Sequence, residues 1–244
     1  PPAAAAARQA SRDFFIHSLT CMQQLKLFSG WLAGLFLCSL LFTPSAQAAT
    51  PTNVFISEVA WAGSSLSASD EWIELANPTS ETMDLSGWQL SGAASSENIL
   101  TLPEESLIAP QSTLLIANYD PTHENSAIVV TPSYVTSSIS LSNSTLQITL
   151  SNTQGEIMDV VGDGNLPLGG TSGGTSTGEV YASMERVYPL LDGTSPEAWI
   201  TTATQTGMKE SIVDLATPGS YSFETTVVEV PVECSTRVVQ QWLL

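Results

Sequence analysis

Apolar residues follow two patterns along the chain. From Leu27 to Phe42 they run without a charge, whereas after Asn53 they come in short bursts separated by turn-forming residues. Val54 to Trp61 reads as a first strand. Trp72 to Ala76 is a second, closed by Asn77-Pro78, where proline fixes φ and offers no N–H to a ladder. Within it Ile73 and Leu75 share one face and Glu74 takes the other. Gly87 to Leu90 is a third, with Trp88 and Leu90 inward, and Ile99 to Leu102 is a short fourth. Ser112 to Ala117 is apolar almost throughout, as expected of a strand buried on both faces. Leu146, Ile148 and Leu150 alternate with Gln147 and Thr149. Glu156 to Val161 follows after Thr153-Gln154-Gly155, so these two segments predict a hairpin. Ala182 to Val187 and Trp199 to Thr202 complete the set, and Gly169 to Gly178 predicts a flexible loop between strands. No capped helical period persists in this region. Many short strands with sequence-distant apolar faces predict an all-β sandwich of two packed sheets. The domain spans Asn53 to Tyr221, and Ser222 to Leu244 reads as a C-terminal tail or linker leading to further sequence.

The unbroken apolar run belongs to a different kind of segment. The first methionine is Met22. It is followed by Lys26, the run from Leu27 to Phe42, a Pro44 break and the small-x-small sequence Ala46-Gln47-Ala48. That order predicts a secretory signal-peptide helix over 22–48, cleaved after Ala48, and so a secreted or cell-surface location. The run falls short of the roughly 20 apolar residues of a spanning helix. An uncleaved anchor is the alternative, and the only route by which the chain would hold to a membrane. Leu37 stands before Cys38 where a lipobox needs a small residue. Residues 1–21, with an alanine run and no initiator methionine, read as a non-native or disordered extension.

Charge narrows the partners. The 244 residues carry 24 acidic and six basic side chains. Asp13 is the one acidic residue before Ala49, while Arg8, Arg12 and Lys26 all lie there. The remainder therefore has 23 acidic residues against Arg186, Lys209 and Arg237. Three scattered cations cannot displace counterions along a phosphate backbone, which argues against direct nucleic-acid binding. Cys234 is the single cysteine beyond the leader and His123 the single histidine, so neither an internal disulfide nor zinc ligation has material to draw on.

Candidate chemistry is thin. Asp70, Glu71 and Glu74 lie close enough to evoke paired acid–base carboxylates. If Ile73 and Leu75 face the core, however, Asp70 and Glu74 face solvent and Glu71 sits at the strand edge. Glu58 reads as partly buried, with Arg186 as its partner. Asp159, Asp163 and Asn165 offer oxygens to calcium, but their spacing is not that of an EF-hand, and turn chemistry accounts for Asp163-Gly164-Asn165. His123 reads as a loop residue. No nucleophile elbow or phosphate loop is present. Trp61 and Trp72 are candidates for an exposed sugar-stacking platform, with core or rim packing as the simpler reading. No catalytic residue, cofactor site or metal site emerges.

One set of residues carries a resemblance. Ile56-Ser57-Glu58-Val59, Asp70-Glu71-Trp72-Ile73-Glu74-Leu75, Asn77-Pro78 and Asp84-Leu85-Ser86-Gly87-Trp88-Gln89-Leu90 together resemble the lamin tail domain family. Leu107 to Pro110, Leu114 to Ala117, Ser183 to Arg186 and Thr217-Pro218-Gly219 add to the match. The resemblance implies an immunoglobulin-like β-sandwich and a bacterial-type exported member, since the chain has a leader and no heptad rod. It implies a binding or structural module for an unknown protein or surface polymer. The alternatives are an accessory domain of a larger secreted hydrolase or nuclease, and a carbohydrate-binding module. The motif defines a fold and supplies no catalytic residue.

Overall fold

The computed structural model describes residues 53–95, 98–174 and 179–224. The leader, its Ala48 cleavage site, residues 1–21 and the tail beyond Glu224 lie outside them. Fourteen strands and one short 3-10 turn make up the described chain. The larger sheet contains β1 (Phe55–Ala60), β2 (Trp72–Asn77), β7 (Ser112–Ala117), β8 (Tyr134–Val135), β13 (Met184–Arg186) and β14 (Trp199–Thr201). Its order is β14-β13-β1-β2-β7-β8, antiparallel except for the last pair. The second sheet has the order β10-β9-β4-β5, from β4 (Gln89–Ser91), β5 (Ile99–Thr101), β9 (Ile148–Ser151) and β10 (Ile157–Val161). Two small ladders complete the set: β3 (Met83–Asp84) with β6 (Leu107–Ile108), and β11 (Thr171–Gly174) with β12 (Glu179–Ala182). This is the all-β sandwich expected from the pattern of short strands, with the immunoglobulin-like fold that the resemblance implies.

The principal core fills the space between the sheets. Ile56, Val59, Ile73, Leu75, Leu114 and Ile116 from the larger sheet meet Leu90, Leu100, Ile148, Leu150 and Val161 from the smaller, with Trp88 and Trp199 among them. The expected hairpin of β9 and β10 is present, and the backbone N–H of Asn152 donates to Glu156 across its turn. Gly87 adopts φ +76°, a left-handed conformation that only glycine takes freely, and this brings Trp88 onto the core.

Three features depart from expectation. Part of the Gly169–Gly178 segment is not a loop: β11 occupies Thr171–Gly174 and pairs with β12. The outer face of β2 is not solvated, because all six residues of β1 and of β2 are buried. A second apolar cluster lies on that face, joining Ala60, Trp72, Leu115 and Ala117 to Ala127, Ile128, Met208 and Ala216. The covering chain is therefore drawn from residues 126–130 and 203–221. Backbone hydrogen bonds hold it there: Ser183 N–H to Leu215, Leu215 N–H to Tyr181 and Lys209 N–H to Ala127. Third, the β1–β2 register shifts between Ile56 and Glu58. One extra residue reverses the alternation, so Ile56 and Val59 face the core and Glu58 faces outward beside Glu74.

Candidate functional site

The four carboxylates of the first two strand motifs all turn out to be buried. Glu74 and Glu58 are 0% and 1% exposed, Asp70 2% and Glu71 8%. The expectation that Asp70 and Glu74 face solvent is therefore overturned. Its physical reason is the covering segment, whose apolar positions are too sparse to announce themselves as a strand.

Each carboxylate accepts hydrogen bonds from backbone far away in sequence. Asp70 Oδ2 takes the Ala127 N–H at 2.7 Å, and Glu71 Oε1 takes the Leu141 N–H at 3.1 Å. Glu58 receives the Thr217 N–H at 2.9 Å and the Thr217 hydroxyl at 2.8 Å, and Ser183 also donates to it. Glu74 receives the Gly219 N–H, and the Ser57 hydroxyl at 3.3 Å. A buried N–H must find an acceptor, and an ionised or polarised carboxyl is a strong one. The motif residues therefore fasten loops and the closing segment to the larger sheet.

Glu185, Glu58 and Glu74 form a row across β13, β1 and β2, cross-strand neighbours in register. Among the described residues no cation is a hydrogen-bonding partner of Glu58 or Glu74. Burial pushes Glu58 up to about 7 and Glu74 to about 8, the latter also raised by Glu58 itself. Burial raises Glu71 to about 7 against the pull of the Leu141 N–H. Glu185 is likewise raised by burial.

Arg186 is not the partner of Glu58. It projects from the opposite face of the sheet, 1% exposed, and pairs with Asp159 of β10 at 3.1 Å. Asp159 Oδ2 also accepts the Ile56 N–H at 2.9 Å, so this one carboxylate links the two sheets. The guanidinium lies 4.9 Å from the centre of the Trp199 ring and donates to the Leu191 carbonyl at 2.7 Å. Burial holds the Asp159 carboxyl above its ordinary value, opposed by the adjacent guanidinium. Asp159 is thus engaged away from the turn at Asp163, where Asn165 donates its N–H to Asp163 Oδ1 at 3.0 Å as turn chemistry requires.

The remaining motif residues also have structural duties. Asn77 Nδ2 donates to the carbonyls of Glu81, Ile108 and Ala109 at 2.7, 3.2 and 3.0 Å, and its Oδ1 accepts the Thr79 N–H. Asp84 Oδ1 accepts the Ser86 hydroxyl and, at 2.9 Å, the Ser86 N–H in an exposed turn, and these two bonds lower its pKa. Ile73, Leu85 and Trp88 belong to the principal core. Trp61 and Trp72, the candidate platform, are 7% and 2% exposed, and Trp61 Nε1 donates to the Gly169 carbonyl. They present no ring to a sugar. His123 is exposed and stacks on Tyr119 with ring centres 4.3 Å apart. Among the described residues no group of three His, Cys, Asp or Glu side chains is placed to hold a metal ion.

Replacing Asn77 with alanine removes the donor to three carbonyls, the buried Ile108 carbonyl among them, and is expected to cost about 2–3 kcal/mol in urea denaturation. A change within about 0.5 kcal/mol would show that the side chain is dispensable.

Residues 47–165 match the family model described as Lamin Tail Domain. No match to a curated protein is found. The matched stretch ends at 165, whereas β13 and β14, which complete the larger sheet, and residues 203–221 of the covering chain lie beyond it.

Proposed function

With residues 47–165 belonging to the lamin tail domain family, we propose that this chain is an exported, non-catalytic binding or structural module that engages a protein or a cell-surface polymer. The observation that carries this reading is the engagement of the motif carboxylates. Asp70, Glu71, Glu74 and Glu58 each bind backbone from a distant segment, and none is left as a solvent-facing acid–base pair. A general acid or base must reach a proton on a substrate, and these groups are closed off by the chain they fasten. The charge balance supports a location and partner without nucleic acid, and the leader over 22–48 supports export.

Expression of the chain from Met22 in a bacterial host tests export. N-terminal sequencing of the extracytoplasmic product is expected to begin at Ala49. Retention of the whole chain in the cytoplasm would remove the exported part of the reading. Hydrolysis of a glycoside or phosphodiester by the purified chain, abolished by Glu74→Gln, would remove the non-catalytic part.

A further inference from the structure

The two parts of the covering chain differ in how they are tied into the fold. Residues 126–130 belong to the connection between β7 and β8, with strands of the larger sheet on either side in sequence. Residues 203–221 follow β14, the last strand of the described chain, so they can move without any strand being withdrawn. They form one piece. The Thr206 N–H donates to the Ala216 carbonyl at 2.9 Å, and Gln205 Nε2 donates to the carbonyls of Ile212 and Asp214 at 3.0 and 3.1 Å. Gly207 turns at φ +70°, where an added Cβ would stand 2.5 Å from the Pro218 carbonyl, so the two arms of the piece lie in direct contact.

Its hold on the sheet is weak in apolar contacts and strong in carboxyls. Met208 and Ala216 are all that it adds to the buried residues of the outer cluster. Asp214 Oδ2 accepts the Ser65 N–H and hydroxyl, both at 2.8 Å, and the Leu215 N–H reaches Tyr181. The other fastenings are Glu58 to Thr217 and Glu74 to Gly219, on carboxyls that stand side by side in register. Glu58 is faced by Glu185 from β13, with Ser183 and Thr217; Glu74 is faced by Glu58 from β1, Thr113 from β7, Ser57 and Gly219. Lys209, the cation of the segment, donates to the His123 carbonyl and acts on Asp70, as does Asp214 with the opposite sign. Arg186 is paired with Asp159 on the opposite face.

A protonated carboxyl keeps a carbonyl oxygen as acceptor, so the closed segment is bonded with both protons in place. Two ionised carboxylates there repel each other and lack the hydration that an open face would return. We propose that residues 203–221 are a releasable strap, which lifts from the outer face of the larger sheet when Glu58 and Glu74 ionise, while both sheets remain folded. Its release uncovers the part of the outer cluster that Met208 and Ala216 cap. Burial raises Glu58 to about 7 and Glu74 to about 8 in the closed form. Docking is therefore strongest below 4.5 and is lost as pH rises through those values.

Native-state amide exchange of the full chain tests this, at pH 6 and pH 8 with urea kept below the unfolding transition. The Lys209, Leu215, Thr217 and Gly219 amides are expected to share one opening, with a smaller urea slope than the amides of β2, β7 and β9. Corrected for intrinsic exchange rates, their protection should fall about tenfold or more from pH 6 to pH 8. In the double variant Glu58→Gln with Glu74→Gln that fall should vanish. Glu74→Gln alone, which keeps an acceptor for Gly219, should shrink it. Strap amides that exchange only together with the strands, at the full urea slope, would show that the whole domain opens and would overturn the strap. Protection unchanged between the two pH values, or a fall undiminished in Glu74→Gln, would overturn it equally.

Discussion

Replacing Arg186 with methionine is expected to destabilise the domain by about 3–5 kcal/mol, the largest effect of any single substitution considered. The guanidinium is 1% exposed and its partner Asp159 is 2% exposed, so neither can turn to water when the other is lost. Asp159 would retain the Ile56 N–H but lose both guanidinium bonds between the two sheets. The methionine also loses the stacking on Trp199 and the bond to the Leu191 carbonyl. The double variant Arg186→Met with Asp159→Leu separates burial from pairing. Removing both charges is expected to recover much of the loss, because a buried pair repays little beyond its own desolvation. Urea denaturation of the four forms measures this. A single-variant loss below about 1 kcal/mol would show that the pair is not the bond between the sheets.

The second large effect is a fall in stability as pH rises through neutrality. Glu58 faces Ser183, Thr217 and the neighbouring carboxyls of Glu185 and Glu74; Glu74 faces Ser57, Thr113, Gly219 and Glu58. No cation is among these groups. Folded Glu58 and Glu71 titrate at about 7 and Glu74 at about 8, against an ordinary value of 4.5. Between 4.5 and about 8 the folded chain therefore holds protons that the unfolded chain has released. Stability decreases with pH wherever the folded state binds more protons. The contribution is whole below 4.5, declines through the window and is gone above about 8. Each pKa unit corresponds to about 1.4 kcal/mol, so even a partly relaxed site makes the difference between pH 5 and pH 9 on the order of 3 kcal/mol or more. The exposed turn carboxylates Asp84, Asp120, Asp163 and Glu197 have lowered values and act in the opposite sense, on the acid side of their ordinary range. Glu74→Gln, which removes the charge and keeps an acceptor for Gly219, should flatten the alkaline decline and match the parent near pH 5. A stability profile that is level or rising from pH 5 to 9 would contradict the placement of these groups.

Legibility in the sequence followed the physics of each element. Where one face of a strand packs on the core and the other carries polar residues, as at Leu146 to Leu150, the period of two was enough. The sandwich, the β9–β10 hairpin and the inward positions of Trp88, Leu90, Ile73 and Leu75 were all readable on that basis. The bulge after Ile56 was not. A one-residue insertion leaves no compositional mark, yet it sends Glu58 to the face opposite Arg186 and so breaks the pairing that simple alternation implies. The cover on the outer face was equally silent. It is held by carboxylate-to-backbone bonds spanning 145 and 159 residues and by a few small apolar contacts such as Ala216, so no local period announces it. A polar residue alternating with core positions reads as solvated unless something distant is known to cover it. The clue that was present lies in composition: Asp70, Glu71 and Glu74 cluster within and just before one short strand with almost no cations in the chain to pair with them, so backbone donors were the partners left.

Amide hydrogen exchange in Glu74→Ala, compared with the parent at pH 6, addresses the fastening role of the motif carboxylates most directly. The Gly219 amide, which donates to Glu74, is expected to lose protection about tenfold, roughly the loss of one hydrogen bond. The Ala127 and Leu141 amides, held by Asp70 and Glu71, should keep theirs. Unchanged protection at Gly219 would contradict the fastening role and return Glu74 to the pool of residues available for chemistry.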